Sequence, residues 1–477
     1  MPMYTRREIL QASLATAIGV VEPVRSIDAG SIEGLPSVEA AEEGAAIRTR
    51  MFWTWDHSTE WALNLPGAHT MGAANEYSRP GKAFVEDYAD LLQWCGNHNV
   101  DAVVVWGLLR DSHGGLDAAK RLADVASRQG VRLLCGVGLN AYGGVYYEGD
   151  SPHSLEQHLA SHPELVAVDQ GGKKMSQPHS YVACPSRREN QEFATESLRW
   201  LFRNLRLGGV QVETGDYTVC HCGLCQKRRK HPSSGFSWED MALMYPIAAE
   251  AIHSVSPDAW IVCETYSHPE PYAGSKQAPE FGEGKPPWAE ECLQQFPKGK
   301  GIFVQWVCDD YVKPRQLKAW TKAGTVSGAS HHNIMRAHFG TYWLDHLRGE
   351  LSIDWIAEMV QGSMAHGFDA ISLFGEVSPF DTGAELNYLA LQDFGGAGNS
   401  TADLEVFLRN VAAPLLGGET YAHDYLRYAR FLDDRRQIPS ALQEICKRCA
   451  SMPPDIARRW VWLANYLASF IYSTSST

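Results

Sequence analysis

The chain has 477 residues, 44% of them hydrophobic, enough to bury a large core as one big domain or as two or three smaller ones. A formal net charge of -14 argues against nucleic acid or an anionic membrane surface as the main partner. No glycine-rich phosphate loop follows the first predicted strand, so a nucleotide-binding open sheet is disfavoured and no organic cofactor is expected.

The N-terminus carries Thr5-Arg6-Arg7-Glu8-Ile9-Leu10 ahead of a weakly apolar run from Ala12 to Val21. Paired arginines before so short an apolar stretch predict a twin-arginine-type signal over 1–30, not a membrane span, which needs about 20 apolar residues. The expected location is therefore periplasmic or extracellular. Residues 31–48, rich in Ser, Gly, Glu and Ala, read as a linker.

From residue 49 onward, strand-like apolar runs alternate with helical periodicity. Strands are predicted at 51–55, 102–107, 131–139, 209–213, 260–264, 302–307, within 325–334, and at 369–374. Helices are predicted at 84–97, 116–129, 191–205, 238–254, 314–322 and 353–366. Eight such units over residues 49–400 predict a (β/α)8 TIM barrel, with a long functional loop after strand three. Residues 401–477 read as helical, with helices at 402–416, 420–433, 439–450 and 456–472. One of these is expected to serve as the eighth barrel helix and the rest to cap the barrel.

In such a barrel the site lies at the C-terminal ends of the strands. Those positions hold Trp53, Trp55, Asp56 and His57 (strand one), Arg110 (two), Asn140 (three), Glu213 and Asp216 (four), Glu264 and Tyr266 (five), and Trp306, Asp309 and Asp310 (six). His331 and His332 follow the expected strand seven, and Glu376 ends strand eight. Carboxylates among Trp and Tyr suit glycoside hydrolysis: one carboxyl protonates the leaving oxygen, another acts as nucleophile or base, and aromatic faces stack on sugar rings.

Among eleven cysteines, Cys135, Cys263 and Cys308 sit singly in apolar strands and read as core residues. Cys220, Cys222 and Cys225 are packed as C-x-C-x-x-C, and Cys184 is the best fourth ligand for a tetrahedral metal, with His221 a nearer but geometrically awkward option. Four protein ligands would make such a site structural.

The segment from Cys184-Pro185 through a helix and a strand ending in Glu213 to the C-x-C-x-x-C cluster resembles the family 42 glycoside hydrolases. That resemblance implies a (β/α)8 barrel with two catalytic glutamates, Glu213 as acid/base, and structural zinc on Cys184, Cys220, Cys222 and Cys225. Two departures stand out: Val212 occupies the position of the expected Asn, and no glutamate stands in the predicted seventh strand.

The leading expectation is thus a glycosidase acting on an oligo- or polysaccharide, with Glu213 as acid/base. The second carboxylate is sought first in Glu376, then in Glu264, then in Asp309 or Asp310. Two other classes are weighed beside it: a metal-dependent barrel hydrolase using Asp56, His57, Glu213, His331 and His332, and a catalytically inactive glycan-binding barrel. A carbohydrate is the expected partner, with no stable membrane insertion.

Overall fold

The computed structural model describes residues 47–56, 81–177, 180–215, 219–231, 233, 236–271, 284–307, 331–337, 351–365, 367–375, 378–379, 383–396, 402–430 and 434–472. Eight parallel strands close into a barrel: β1 (Thr49–Trp55), β2 (Ala102–Trp106), β3 (Arg132–Gly138), β4 (Gly209–Glu213), β5 (Trp260–Glu264), β6 (Ile302–Val307), β7 (His332–Ala337) and β8 (Ala370–Phe374). Each strand pairs with its sequence neighbours, and β8 closes on β1. The fold is therefore a (β/α)8 barrel.

Helices cover one face of the strands and the barrel interior the other, so valine-rich β2 and β4 are buried at every residue. Register carries one parity around the barrel. Trp55 lies beside Trp106, Gly138 beside Glu213, Gln211 beside Val262, Glu264 beside Gln305, Val307 beside Arg336, Arg336 beside Ser372, and Phe374 beside Trp53. This set shares the interior with Met51, Val104, Leu134 and Ile334. The opposite parity (Phe52, Val103, Val212, Cys263, Trp306, Leu373) packs against the helix layer.

The helices Gly81–Asn97, Gly115–Gln129, Arg188–Asn204, Trp238–His253, Ala289–Leu293 and Ile353–Ala365 follow strands in turn. The expected helix at 314–322 lies outside the described residues. Two expectations are corrected. The seventh strand runs from His332 to Ala337 and not within 325–334; its polar ends, His332 and Arg336, hid it from an apolar pattern. The helix after β8 is Gly383–Phe394, ahead of the C-terminal helices. Its Tyr388 packs against Phe52 of β1 and Trp94 of the first helix, at ring-centroid distances of 4.6 and 5.6 Å, which closes the helical ring.

The C-terminal region consists of Leu404–Phe407 and Ala413–Leu416 joined by a π turn at Leu408–Ala412, followed by Glu419–Ala429, Ile438–Cys449 and Pro454–Tyr472. Fully buried Trp460 donates to Leu416 O at 3.1 Å. Arg459 forms a two-point ion pair with Glu385 of the eighth barrel helix. One continuous apolar core joins these helices to the barrel's helix layer. Among the described residues, no helix is long and apolar enough to cross a membrane.

Candidate active site

Two different surfaces meet inside the upper barrel. Strands β8, β1 and β2 contribute aromatic rings. Trp53 meets Trp55 edge-on at 5.8 Å and Phe374 edge-on at 4.7 Å, and Trp55 lies 5.6 Å from Trp106. Tyr142 and Tyr147, from the loop after β3, each lie 5.9 Å from Trp55. A glycine makes room for this wall: a Cβ at Gly136 would stand 2.3 Å from the Trp106 ring.

Strands β4 to β8 contribute polar groups. Glu213 ends β4, 4% exposed, and its backbone carbonyl accepts from Leu139 N at 2.7 Å. Glu264 ends β5 and is fully buried. Its Oε1 accepts from the backbone N–H groups of Thr265 at 3.0 Å and Tyr266 at 2.9 Å. Its Oε2 accepts from Gln211 Nε2 at 3.3 Å, from Gln305 Nε2, and from Arg336 at 3.0 Å. The Arg336 guanidinium also lies over Trp53, 5.2 Å from the ring.

Behind both glutamates, fully buried Tyr245 donates to the backbone carbonyl of Glu264 at 2.5 Å. Burial first, then the charges of Cys263, Glu264 and Glu213, push its hydroxyl well above the usual phenol range, so it stays a donor. Two tyrosines at strand ends adopt left-handed backbone: Tyr142 (φ 51) after β3 and Tyr266 (φ 57) after β5. Non-glycine residues in that region are strained, and such strain concentrates at functional sites.

The residues singled out from sequence are distributed as follows. Glu213, Glu264, Trp53 and Trp55 converge on the interior. Asn140 and Tyr266 are buried in the loops directly above it. Asp56 and Arg110 come together but bind each other, Arg110 Nε donating to Asp56 Oδ2 at 2.6 Å. Arg110 also pairs with Glu148 and covers Tyr147 at 4.5 Å, tying the third loop to β1. Burial lowers the Arg110 pKa, but the charges of Asp56, Tyr147 and Glu148 outweigh it and raise the group overall. Trp306 has the outward parity and donates to Asn333 Oδ1 at 2.9 Å in the helix–sheet core.

His331 and His332 stand at the N-terminal end of β7, at the end of the barrel away from Glu213, and His332 bonds Asp369. This corrects the expectation that they follow the strand: Asp56, Glu213 and these histidines do not gather around one ion. His57, Asp216, Asp309, Asp310 and Glu376 lie outside the described residues. Gln211 was missed as an interior group. The available signal was a polar residue at alternate positions of an apolar strand, such as Gln211 two before Glu213.

Next to this mouth, the loop between β3 and the helix Arg188–Asn204 delivers Cys184 to Cys220, Cys222 and Cys225. All four sulfur atoms lie within 4.8 Å of one another, and Cys184 Sγ is 3.6 Å from Cys222 and 3.5 Å from Cys225. Sulfurs bound to one tetrahedral zinc stand about 3.8 Å apart, given a Zn–S length of about 2.3 Å. The donor set fits zinc. Contacts with Cys184 and Cys220 lower the Cys225 thiol, burial opposes them, and Ser186 and the charge of Arg229 add to the lowering. Arg229 also donates to Cys220 O at 2.7 Å while paired with buried Asp240. Asn190 braces the same corner through Leu165 O and Cys184 O at 2.9 and 3.0 Å.

No family model matches the chain, and no curated protein matches it in sequence. Its fold is similar to that of an O-GlcNAc hydrolase mutant from Thermobaculum terrenum, with TM-score 0.50, 10% identity, and 90% of this chain and 85% of that one covered. More distant are a β-N-acetylhexosaminidase from Bacteroides fragilis (TM-score 0.41, 10% identity, 72% and 65% covered) and a β-galactosidase from Marinomonas ef1 (0.42, 9%, 72% and 59%). The structural neighbours are glycoside hydrolases, and this chain shares their TIM-barrel fold.

Proposed function

We propose that the protein is a glycosidase whose general acid/base is Glu213. The observation carrying this reading is a nearly buried glutamate at the C-terminal end of β4, facing a barrel interior walled by Trp53, Trp55, Trp106 and Phe374. A carboxyl group at this position can serve a leaving glycosidic oxygen as proton donor, and tryptophan faces suit sugar rings. The shared fold with the O-GlcNAc hydrolase from Thermobaculum terrenum supports the same substrate class. So does the resemblance of the Cys184–Cys225 segment to the family 42 enzymes.

The four cysteines are proposed to hold a structural zinc that clamps the third loop to the segment after β4. Export through the twin-arginine signal at Arg6-Arg7 is proposed with it. The metal-dependent alternative loses His331 and His332 to the other end of the barrel. A glycan-binding barrel without turnover is separated by assay on a panel of aryl glycosides. Turnover by the wild type, falling about 10²–10⁴-fold in Glu213→Gln, is expected. Full turnover in that variant would sink the acid/base assignment, and an inactive wild type that still binds glycans would favour the binding role.

A further inference from the structure

Glu264 is the obvious described partner for Glu213, but its surroundings do not suit a proton donor or a nucleophile. A donor needs an acceptor for its proton, and a nucleophile needs a lone pair free to attack. Both carboxylate oxygens of Glu264 are engaged by donors: two backbone N–H groups, Gln211, Gln305 and Arg336.

The side chains fastened to Glu264 are themselves only half satisfied. Gln211 Oε1, Gln305 Oε1 and Arg336 Nε are buried without a hydrogen-bond partner, as is Oγ of Ser372, which pairs in register with Arg336. All four residues have interior parity and are at most 2% exposed. Buried polar atoms left unpaired are costly, so a group of them on five adjoining strands with Glu264 marks a place built for polar contacts. The set offers two acceptors, one donor, and one hydroxyl that serves as either. That alternation matches the hydroxyl edge of a sugar ring, and the Trp53 ring beneath Arg336 supplies an adjoining apolar face. The Arg336 charge is already balanced by Glu264, so the set has no spare cation for an acidic sugar.

We propose that Glu264 is a positioning residue rather than the second catalytic carboxylate, and that it aims Gln211, Gln305, Arg336 and Ser372 as a subsite for the hydroxyls of an uncharged sugar ring. The substrate class rests on the glycosidase reading; the subsite itself rests on the geometry.

Two measurements on the full-length protein test this. In the first, kcat and KM are determined on the best aryl glycoside for wild type, Gln211→Leu, Gln305→Leu and Glu264→Gln. The expected result is KM raised about tenfold or more in each variant, with kcat changed much less. Unchanged KM in both leucine variants overturns the proposal. So does a Glu264→Gln protein that is folded by circular dichroism but dead, and regains turnover with added azide, which is the signature of a lost nucleophile. Should Glu264→Gln fail to fold, the leucine variants carry the test.

In the second, Glu213→Gln is titrated calorimetrically with glucose, galactose, N-acetylglucosamine, glucuronate and galacturonate. Saturable binding of at least one neutral sugar, weakened in the Gln305→Leu background, is expected. Equal or tighter binding of a uronate, or no binding of any neutral sugar at millimolar concentration, overturns it. Wild-type protein without turnover that still binds a neutral sugar sinks the glycosidase reading and leaves the subsite standing.

Discussion

At the scale of single residues, the aromatic wall depends on an absence. Trp106 occupies the space over Gly136 that any side chain would fill, with a Cβ separation of 2.3 Å. Gly136→Val must push the indole away from Trp55 and Tyr142, and overpacking of this kind costs about 1–3 kcal/mol. A lower melting temperature together with a shifted tryptophan emission is expected; a variant with native stability and spectrum would mean that the ring is not held as described. The tyrosines at Tyr142 and Tyr266 show the converse: strain is accepted where a strand ends at the mouth. At Tyr266 the turn places two consecutive N–H groups on the Glu264 carboxylate.

At the scale of elements, the loop after β3 has polar and sulfur contacts at both ends beside its buried apolar clusters. Its early part is tied through Glu148 to Arg110 and through Tyr146 to Asp111. Its end is tied by Cys184. The protein as purified is expected to contain one zinc per chain by elemental analysis. Cys184→Ser should lose the metal and make the loop the first site of limited proteolysis. Full metal content in Cys184→Ser would remove it from the ligand set.

Two histidines in the same region make it sensitive to acid. His153 stacks on Trp200, and His158 stacks on Phe193 and bonds Asn190. Burial lowers both below their usual 6.5; Glu196 opposes the shift at His153, while at His158 Asn190 and Glu164 oppose it and His162 adds to it. The unfolded chain therefore takes up protons at a higher pH than the folded one. Stability is full above about 6.5 and falls as pH drops through the window beneath it. Thermal unfolding followed from pH 7.5 to 5.5 should show this decline, and His158→Gln should flatten part of it.

At the scale of the whole molecule, the C-terminal helices and the barrel share one apolar core. Trp460 is fully buried, and Arg459 reaches back to Glu385 on the eighth barrel helix. Trp460→Ala should cost about 3–5 kcal/mol, and calorimetry should show one cooperative transition for barrel and extension together. Two separated transitions would mean that the extension folds independently. The polar floor and aromatic wall also depend on this closure, because the Gly383–Phe394 helix supports β1 through Tyr388 and Phe52.

Much of this was legible in the residues alone. The limits of β4 and β5, with Glu213 and Glu264 at their ends, follow from short β-branched runs that stop at a carboxylate. The four-cysteine group was legible too, because three of its members are fixed by local spacing and Cys184 precedes the helix that leads into β4. Tertiary structure alone decided which way side chains face and at which end of the barrel they stand. Parity is inherited around a closed ring of registers, and nothing within β6 says that Gln305 turns inward and Trp306 outward. The limits of β7 depended on its neighbours β6 and β8, whose pairing stabilises a strand with polar ends, and this moved His331 and His332 away from the mouth and brought Arg336 inside. The five donors on Glu264 come from three strands and a turn, 125 residues from Gln211 to Arg336, and only barrel closure puts them on one carboxylate.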